Sequence, residues 1–230
     1  MSPAAKTAAE PRRTRRDAAE LRDAILKAAA EVFFEQGYEG ASIEAVIERV
    51  GGSKRAIYSH FGGKKELFAA IVTENASRAL AALSPTEMSG RNPEDTLLTF
   101  GRRYVEILMT PATLALYRSI VAEGVRFPEL SQVFFESGPG RAAARLATVL
   151  EEFRKRGEID IKDTTRAAEH FIGMLRDDLH LKTVLGLRPL PGPAEIEASV
   201  QQATSIFLNG CRPREAGKTQ SRPRRPAGRR

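Results

Sequence analysis

The side chains best suited to chemistry lie together in SKRAIYSHFGGKK, residues 53–65. Ile57 and Phe61 are four apart and anchor one side of a short helix, which leaves Lys54, Arg55, Tyr58 and Ser59 on the other. Two cations, a phenol and a hydroxyl on one exposed face suit phosphate oxygens and the base edges of a major groove. Lys64 and Lys65 then open a longer helix, where free backbone N–H groups already favour anions. Taken alone, a charged face of this kind is as readily a solvated helix surface.

The flanking residues show what must position that face. Ser42 stands as a helix N-cap before Ile43, Val46, Ile47 and Val50, an apolar row with Glu44, Glu48 and Arg49 opposite. Gly51 and Gly52 end that helix, Ser53 caps the next, and Gly62 and Gly63 turn the chain again. Two short helices joined by a glycine turn form a helix-turn-helix, which places its second helix in DNA. Leu21, Ile25, Ala28, Ala29, Val32 and Phe33 predict a supporting helix over 18–36, ending at Gly37.

Residues 42–68 closely resemble the DNA-binding domain of TetR-family transcriptional regulators. The family pattern is met by Gly51, Ser53, Lys54, Arg55, Tyr58, His60, Phe61, Lys64, Leu67 and Phe68. The resemblance implies that Lys54, Arg55, Ala56 and Tyr58 lie at the groove, with Ala56 touching a thymine methyl, and that Ser42, Ser53, His60 and Lys64 hold phosphates, with Ser59 beside them. Two departures stand out. Position 52 is glycine where the family usually has valine, and Ile47 and Val50 replace the usual alanines, so these larger side chains are expected to fill space vacated at 52.

The chain has 230 residues and a formal charge of +7, unevenly spread. Residues 1–16 hold five cations against Glu10, and residues 212–230 hold eight against Glu215, which leaves the middle net acidic. Both ends, 1–16 and 211–230, are expected to be basic disordered segments, the first placed to reach an adjacent minor groove. No apolar run approaches the roughly 20 residues needed to cross a bilayer. A single cysteine, Cys211, suits a reducing compartment, so no membrane and a cytoplasmic location are expected.

Beyond the helix expected from Lys64 to about Leu83, Asn92-Pro93 and Thr110-Pro111 are strong helix starts. Helices are predicted over 93–109, 111–124, 128–156 with a kink at Pro139, 163–186 and 193–209. No strand pattern appears, so the fold class is all-α; the family resemblance implies a helix-turn-helix domain over 17–63 and a ligand-sensing and dimerisation domain over 64–210. The segment LYRSIVAEGVRFPELSQVFFESGPGR, residues 116–141, resembles the AefR-like branch of the family. Ala167, Phe171, Met174, Val200, Ala203 and Phe207 are assigned to a dimer interface, because the family dimerises through a four-helix bundle of its last long helices. A two-fold homodimer presents two recognition helices to a pseudo-palindromic double-stranded DNA operator.

The family also encloses a small-molecule effector between its middle helices, and a lipophilic effector is expected. Phe100, Tyr104, Leu108, Tyr117, Phe134, Phe135, Ile172 and Leu175 fit such a lining, each equally at home in a plain core. Arg118 and Glu123 are charges that either orient a polar ligand group there, form a structural ion pair or stand exposed to solvent. No nucleophile elbow, phosphate loop or HExxH is present, so no catalytic residue and no cofactor are assigned. Asp177, Asp178 and His180 read as a surface cluster rather than a metal site. The rival readings are a constitutive or architectural DNA-binding protein without an effector, and an all-helical enzyme.

Overall fold

The computed structural model describes residues 12–81 and 92–211, and among them helix follows helix with no strand. The N-terminal part comprises α1 (Arg12–Gly40), α2 (Ile43–Val50), α3 (Lys54–Phe61) and α4 (Lys64–Ala81). After residue 91 come α5 (Pro93–Leu108), α6 (Pro111–Glu123), α7 (Pro128–Ser137), α8 (Pro139–Lys155), α9 (Thr164–Leu175), α10 (Asp178–Val184) and α11 (Pro193–Cys211).

The starts follow from capping chemistry. Asn92 Oδ1 accepts from the Asp95 N–H at 2.8 Å, and Thr110 Oγ1 accepts from the Thr113 N–H at 3.2 Å, each ahead of a proline at the first helical position. Three boundaries differ from expectation, and the end expected at Gly37 is met but followed by a further short helical stretch. Helix α1 already begins at Arg12, because residues 12–20 are mostly good helix formers, so residues 12–16 of the expected arm are helical. The break inside α1 is at Gly37, whose φ of 71° leaves the helical region, and helical backbone resumes to Gly40. The stretch 128–156 is two helices parted at Gly138, which has φ −107° and ψ −97°. The continuous helix expected over 163–186 breaks at Arg176, where Asp177 caps a new helix by accepting from the N–H groups of Leu179 and His180, at 2.9 and 3.4 Å. Residues 1–11 and 212–230 of the two expected tails lie outside the described residues.

Two apolar cores form. In the first, Ile25, Val32 and Phe33 of α1 meet Val46 of α2, Ile57 of α3 and Leu67, Phe68 and Ile71 of α4. Phe68 sits edge-on to Phe33 and to Tyr38, both at 5.1 Å between ring centres. This core also takes in Leu116, Ile120 and Leu130, so the expected boundary after residue 63 does not divide the packing. The second core gathers Leu97 and Phe100, Leu146 and Phe153, Phe171 and Leu175, and Val200. Gly101 lets α5 and α11 approach closely, since a Cβ there would lie 2.6 Å from Val200 Cγ1.

Gly52 corrects the volume argument. It is exposed, nothing lies within 4 Å of where its Cβ would be, and its φ is +107°. Glycine is there for its backbone, and Ile47 and Val50 fill no gap at 52. Gly52→Val is therefore expected to cost about 1 kcal/mol or more in the left-handed region, read as a lower denaturation midpoint in urea. A neutral or stabilised variant would contradict this account.

Candidate functional site

Ser42 Oγ accepts from the Ala45 N–H at 3.0 Å and Ser53 Oγ from the Ala56 N–H at 3.3 Å, so both serines start their helices as expected. Each keeps its hydroxyl hydrogen for an outside acceptor. On α3, Ile57 is buried while Lys54, Arg55, Tyr58, Ser59 and His60 are exposed and Ala56 is half-buried. Arg55 makes no ion pair among the described residues. Lys54 Nζ is held 2.5 Å from Glu44 Oε1 on α2, a pairing that raises the lysine's pKa and lowers the carboxyl's. Ser59 Oγ donates to its own helix at Ala56 O, 2.9 Å away.

Lys64 is engaged within the protein. Its Nζ donates to Glu39 O at 3.0 Å and lies 4.7 Å from the centre of the Tyr38 ring, and burial lowers its pKa. It ties the start of α4 to the end of α1. Arg49 fastens α2 to α1 through a two-bond contact with Glu35, at 2.9 and 2.7 Å.

A second feature lies behind this headpiece. Val72, Asn75, Ala76, Ala79 and Leu80 of α4 form one wall of a cavity of about 70 Å³, closed by Tyr104, Ile107 and Leu108 of α5, Thr113 and Leu116 of α6, Phe134, the Gly138-Pro139 junction and Arg176. Of the residues expected to line a pocket, Tyr104, Leu108 and Phe134 do so. Phe100, Ile172 and Leu175 stand behind them in the second core, where Phe100 stacks on Tyr104 at 5.8 Å. Phe135 is 60% exposed and turns outward.

Tyr117 lies between Phe134 and His180, at 6.1 and 5.4 Å. Arg118 leaves the cavity and donates to the Val184 and Thr183 carbonyls at 2.7 and 2.8 Å, closing the end of α10, while Glu123 faces a groove beside Gly37. The two do not pair with each other among the described residues. Arg176 went unnoticed in the sequence, although it continues the buried row of Ala168 and Ile172 at four-residue spacing. The one available signal was a lone arginine next to the apolar row Ile172 and Leu175.

Asp177 and His180 are structural. The Asp177 carboxylate accepts from two backbone N–H groups and from Ser199 Oγ at 2.7 Å. His180 is buried, and burial, helped by the Arg176 charge and opposed by Asp177, lowers its pKa. Its folded-state pKa lies below the unfolded value of about 6.5, so stability is intact above that pH and is lost as pH falls below it, when only the unfolded chain gains the proton. His180→Gln should therefore flatten the acid limb of a plot of Tm against pH. An unchanged limb would assign that loss to other groups.

The assigned dimer residues are also relocated by the packing. Phe171, Val200, Ala203 and Phe207 are buried within the protomer's own second core, and the half-buried Ala167 and Met174 pack against it. The outward sides of the same helices carry Arg166, His170 and Gly173 on α9 and Ala198, Gln202 and Ile206 on α11.

Residues 25–71 match the family described as bacterial regulatory proteins, tetR family, and residues 95–210 match the AefR-like transcriptional repressor C-terminal domain. The chain belongs to the TetR family of transcriptional regulators. That places it among regulators rather than enzymes. A TetR-family regulator structure from Mesorhizobium loti aligns over 88% of this chain and all of that one, at 29% identity and a TM-score of 0.77. The flavonoid-responsive regulator FrrA aligns over 85% of this chain and 99% of its own, at 33% identity and a TM-score of 0.73. The repressor AcnR of Corynebacterium efficiens is 43% identical over 63 residues, a stretch spanning 27% of this chain and 34% of that protein. Among the described residues, no single helix of this TetR-family chain is long and apolar enough to cross a membrane.

Proposed function

We propose that this TetR-family protein is a cytoplasmic, ligand-responsive repressor that binds a pseudo-palindromic operator as a homodimer. One observation carries the reading: α4 belongs to both halves. Leu67, Phe68 and Ile71 lock it into the headpiece core, while Asn75, Ala76, Ala79 and Leu80 wall the cavity. Whatever enters the cavity therefore presses on the helix that carries the headpiece.

The cavity is smaller than the roughly 300–1,000 Å³ of a typical small-molecule site. An effector must part α4 from α5 and α6, and it stabilises only headpiece positions compatible with that spreading. Such differential binding is worth about 1–3 kcal/mol of coupling against operator binding. The name of the relative FrrA, a flavonoid-responsive regulator, favours a planar and largely apolar effector here.

At the operator, Lys54, Arg55, Ala56 and Tyr58 read the groove, with Ser42, Ser53 and His60 on phosphates. Lys54 must exchange Glu44 for DNA. Lys64 acts as a fastener between α1 and α4 rather than as a phosphate contact.

The dimer uses the outer faces of α9 and α11, together with the exposed Leu181, Leu185, Leu187 and Leu190. Ile206, 55% exposed, is the large apolar side chain of the α11 face, so Ile206→Glu is expected to weaken dimerisation at least about tenfold by burying a charge. Sedimentation equilibrium checks this, and an unchanged dimer would move the interface elsewhere. The experiment for the whole reading is fluorescence anisotropy on genomic fragments flanking the coding region, against random DNA and across a salt series. A preference of about a thousandfold or more, released by a small apolar molecule, supports it. Salt-sensitive binding without preference refutes it.

A further inference from the structure

Five buried side-chain atoms among the described residues lack a hydrogen-bond partner, and three of them border the cavity: Tyr104 Oη, Arg176 Nε and Arg176 Nη2. Native proteins leave few such atoms, and unpaired buried nitrogens of a charged group are the costliest kind, even on a half-buried side chain such as Arg176. Nε and Nη2 form one edge of the guanidinium, a fork that matches two oxygens or one oxygen flanked by a second donor. Tyr104 is almost fully buried; burial raises its pKa, opposed by the charge and side-chain contact of Arg176, and its hydroxyl hydrogen is left to donate.

No acidic residue lines the cavity. The neighbouring carboxylate, Asp177, is occupied by two backbone N–H groups and Ser199. Water would satisfy the donors but leave the charge uncompensated. The remaining walls are mostly apolar, with Val72, Leu80, Ile107, Leu108, Leu116 and Phe134 prominent.

We propose that the cavity takes a planar, largely apolar molecule bearing an anionic oxygen, a carboxylate or a phenolate, that pairs with the Nε–Nη2 edge of Arg176 and accepts from Tyr104. This rests on the effector reading above and narrows it to a chemical class. Arg176 lies at the break between α9 and α10, so a ligand bound to it joins that break to α4 across the cavity. The anion fixes the orientation, and the apolar body supplies the wedge.

The test uses the full chain and three probes on one ring system: 2-naphthoate, 2-naphthol and the neutral 2-naphthamide. Thermal shift and calorimetry are run on the wild type, Arg176→Met, Arg176→Lys and Tyr104→Phe. The expected result is binding of the acid or the phenol at least about tenfold tighter than the amide, with that preference lost in Arg176→Met and partly kept in Arg176→Lys. Phenol binding that tightens as pH rises marks a phenolate site. A preference for naphthoate that is flat with pH marks a carboxylate site.

Without any probe, Arg176→Met should raise Tm, because it replaces a half-buried charge with two unpaired buried nitrogens by an apolar chain of similar length. A lower Tm would make the guanidinium structural and overturn the proposal. Equal binding of acid and amide, a preference that survives Arg176→Met, or no binding of any probe would overturn it as well. Operator release by the amide alone would remove this inference and leave the regulatory reading standing. Absence of specific operator binding would remove the regulatory reading, while the probe measurements would still decide the role of Arg176.

Discussion

Replacing Arg55 by alanine is expected to cost about 1–3 kcal/mol of operator affinity per half-site while leaving binding to random DNA nearly unchanged. Arg55 is exposed on α3 and makes no ion pair among the described residues, so no internal bond opposes its reach into a groove. Lys54 differs, because its pairing with Glu44 must be broken first. In a dimer the two half-sites lose together, so the operator loss is roughly a thousandfold if each contributes near the middle of that range. Anisotropy on operator and random duplexes at one salt concentration gives the answer. Equal losses on both would make Arg55 a phosphate contact, because only base contacts distinguish sequences.

The second large effect is structural and reports on coupling. Phe68→Ala is expected to destabilise the protein by about 3–5 kcal/mol, the usual cost of removing a fully buried phenylalanine. Phe68 lies at the centre of the first core, edge-on to Phe33 and Tyr38, and Tyr38 in turn meets Phe127 at 4.9 Å. The cavity it leaves would uncouple α4 from the headpiece. Operator affinity should therefore fall even at temperatures where the variant remains folded. Denaturant unfolding and anisotropy on one sample separate the two effects, and a folded variant with normal operator affinity would show that α4 does not position the headpiece through this core.

The same residue shows why coupling was hard to read from the sequence. Phe68 belongs to the motif that marks a helix-turn-helix, which suggests a domain ending near residue 63. In space Phe68 shares a core with Leu116, Ile120 and Leu130, and the linkage between headpiece and effector domain is that shared core. Arg126, which bonds to Glu39, and Lys65, 3.3 Å from Glu129, reinforce it at the surface, where ion pairs add little.

By itself the sequence determined the features that depend on neighbours within a few positions. Ser42 and Ser53 cap their helices, Asn92-Pro93 and Thr110-Pro111 start theirs, and Ile57 sets which side of α3 faces inward, all through contacts within one or two helical turns. Those local rules were enough to expose Lys54, Arg55 and Tyr58 together and to support the family resemblance. The tertiary structure decided whatever depends on the partner of a face. Phe171, Val200 and Phe207 make a broad apolar stripe that a sequence assigns equally to a partner subunit or to the chain's own core, and packing against α5 and α8 assigns them inward. Gly52 looked like missing volume and proved to be a backbone requirement, because φ is invisible in a residue name. Arg176 follows Ala168 and Ile172 at four-residue spacing, so its inward row was legible, but only the packing of distant helices around it shows that Nε and Nη2 border a cavity without partners, because no local pattern records what a face meets.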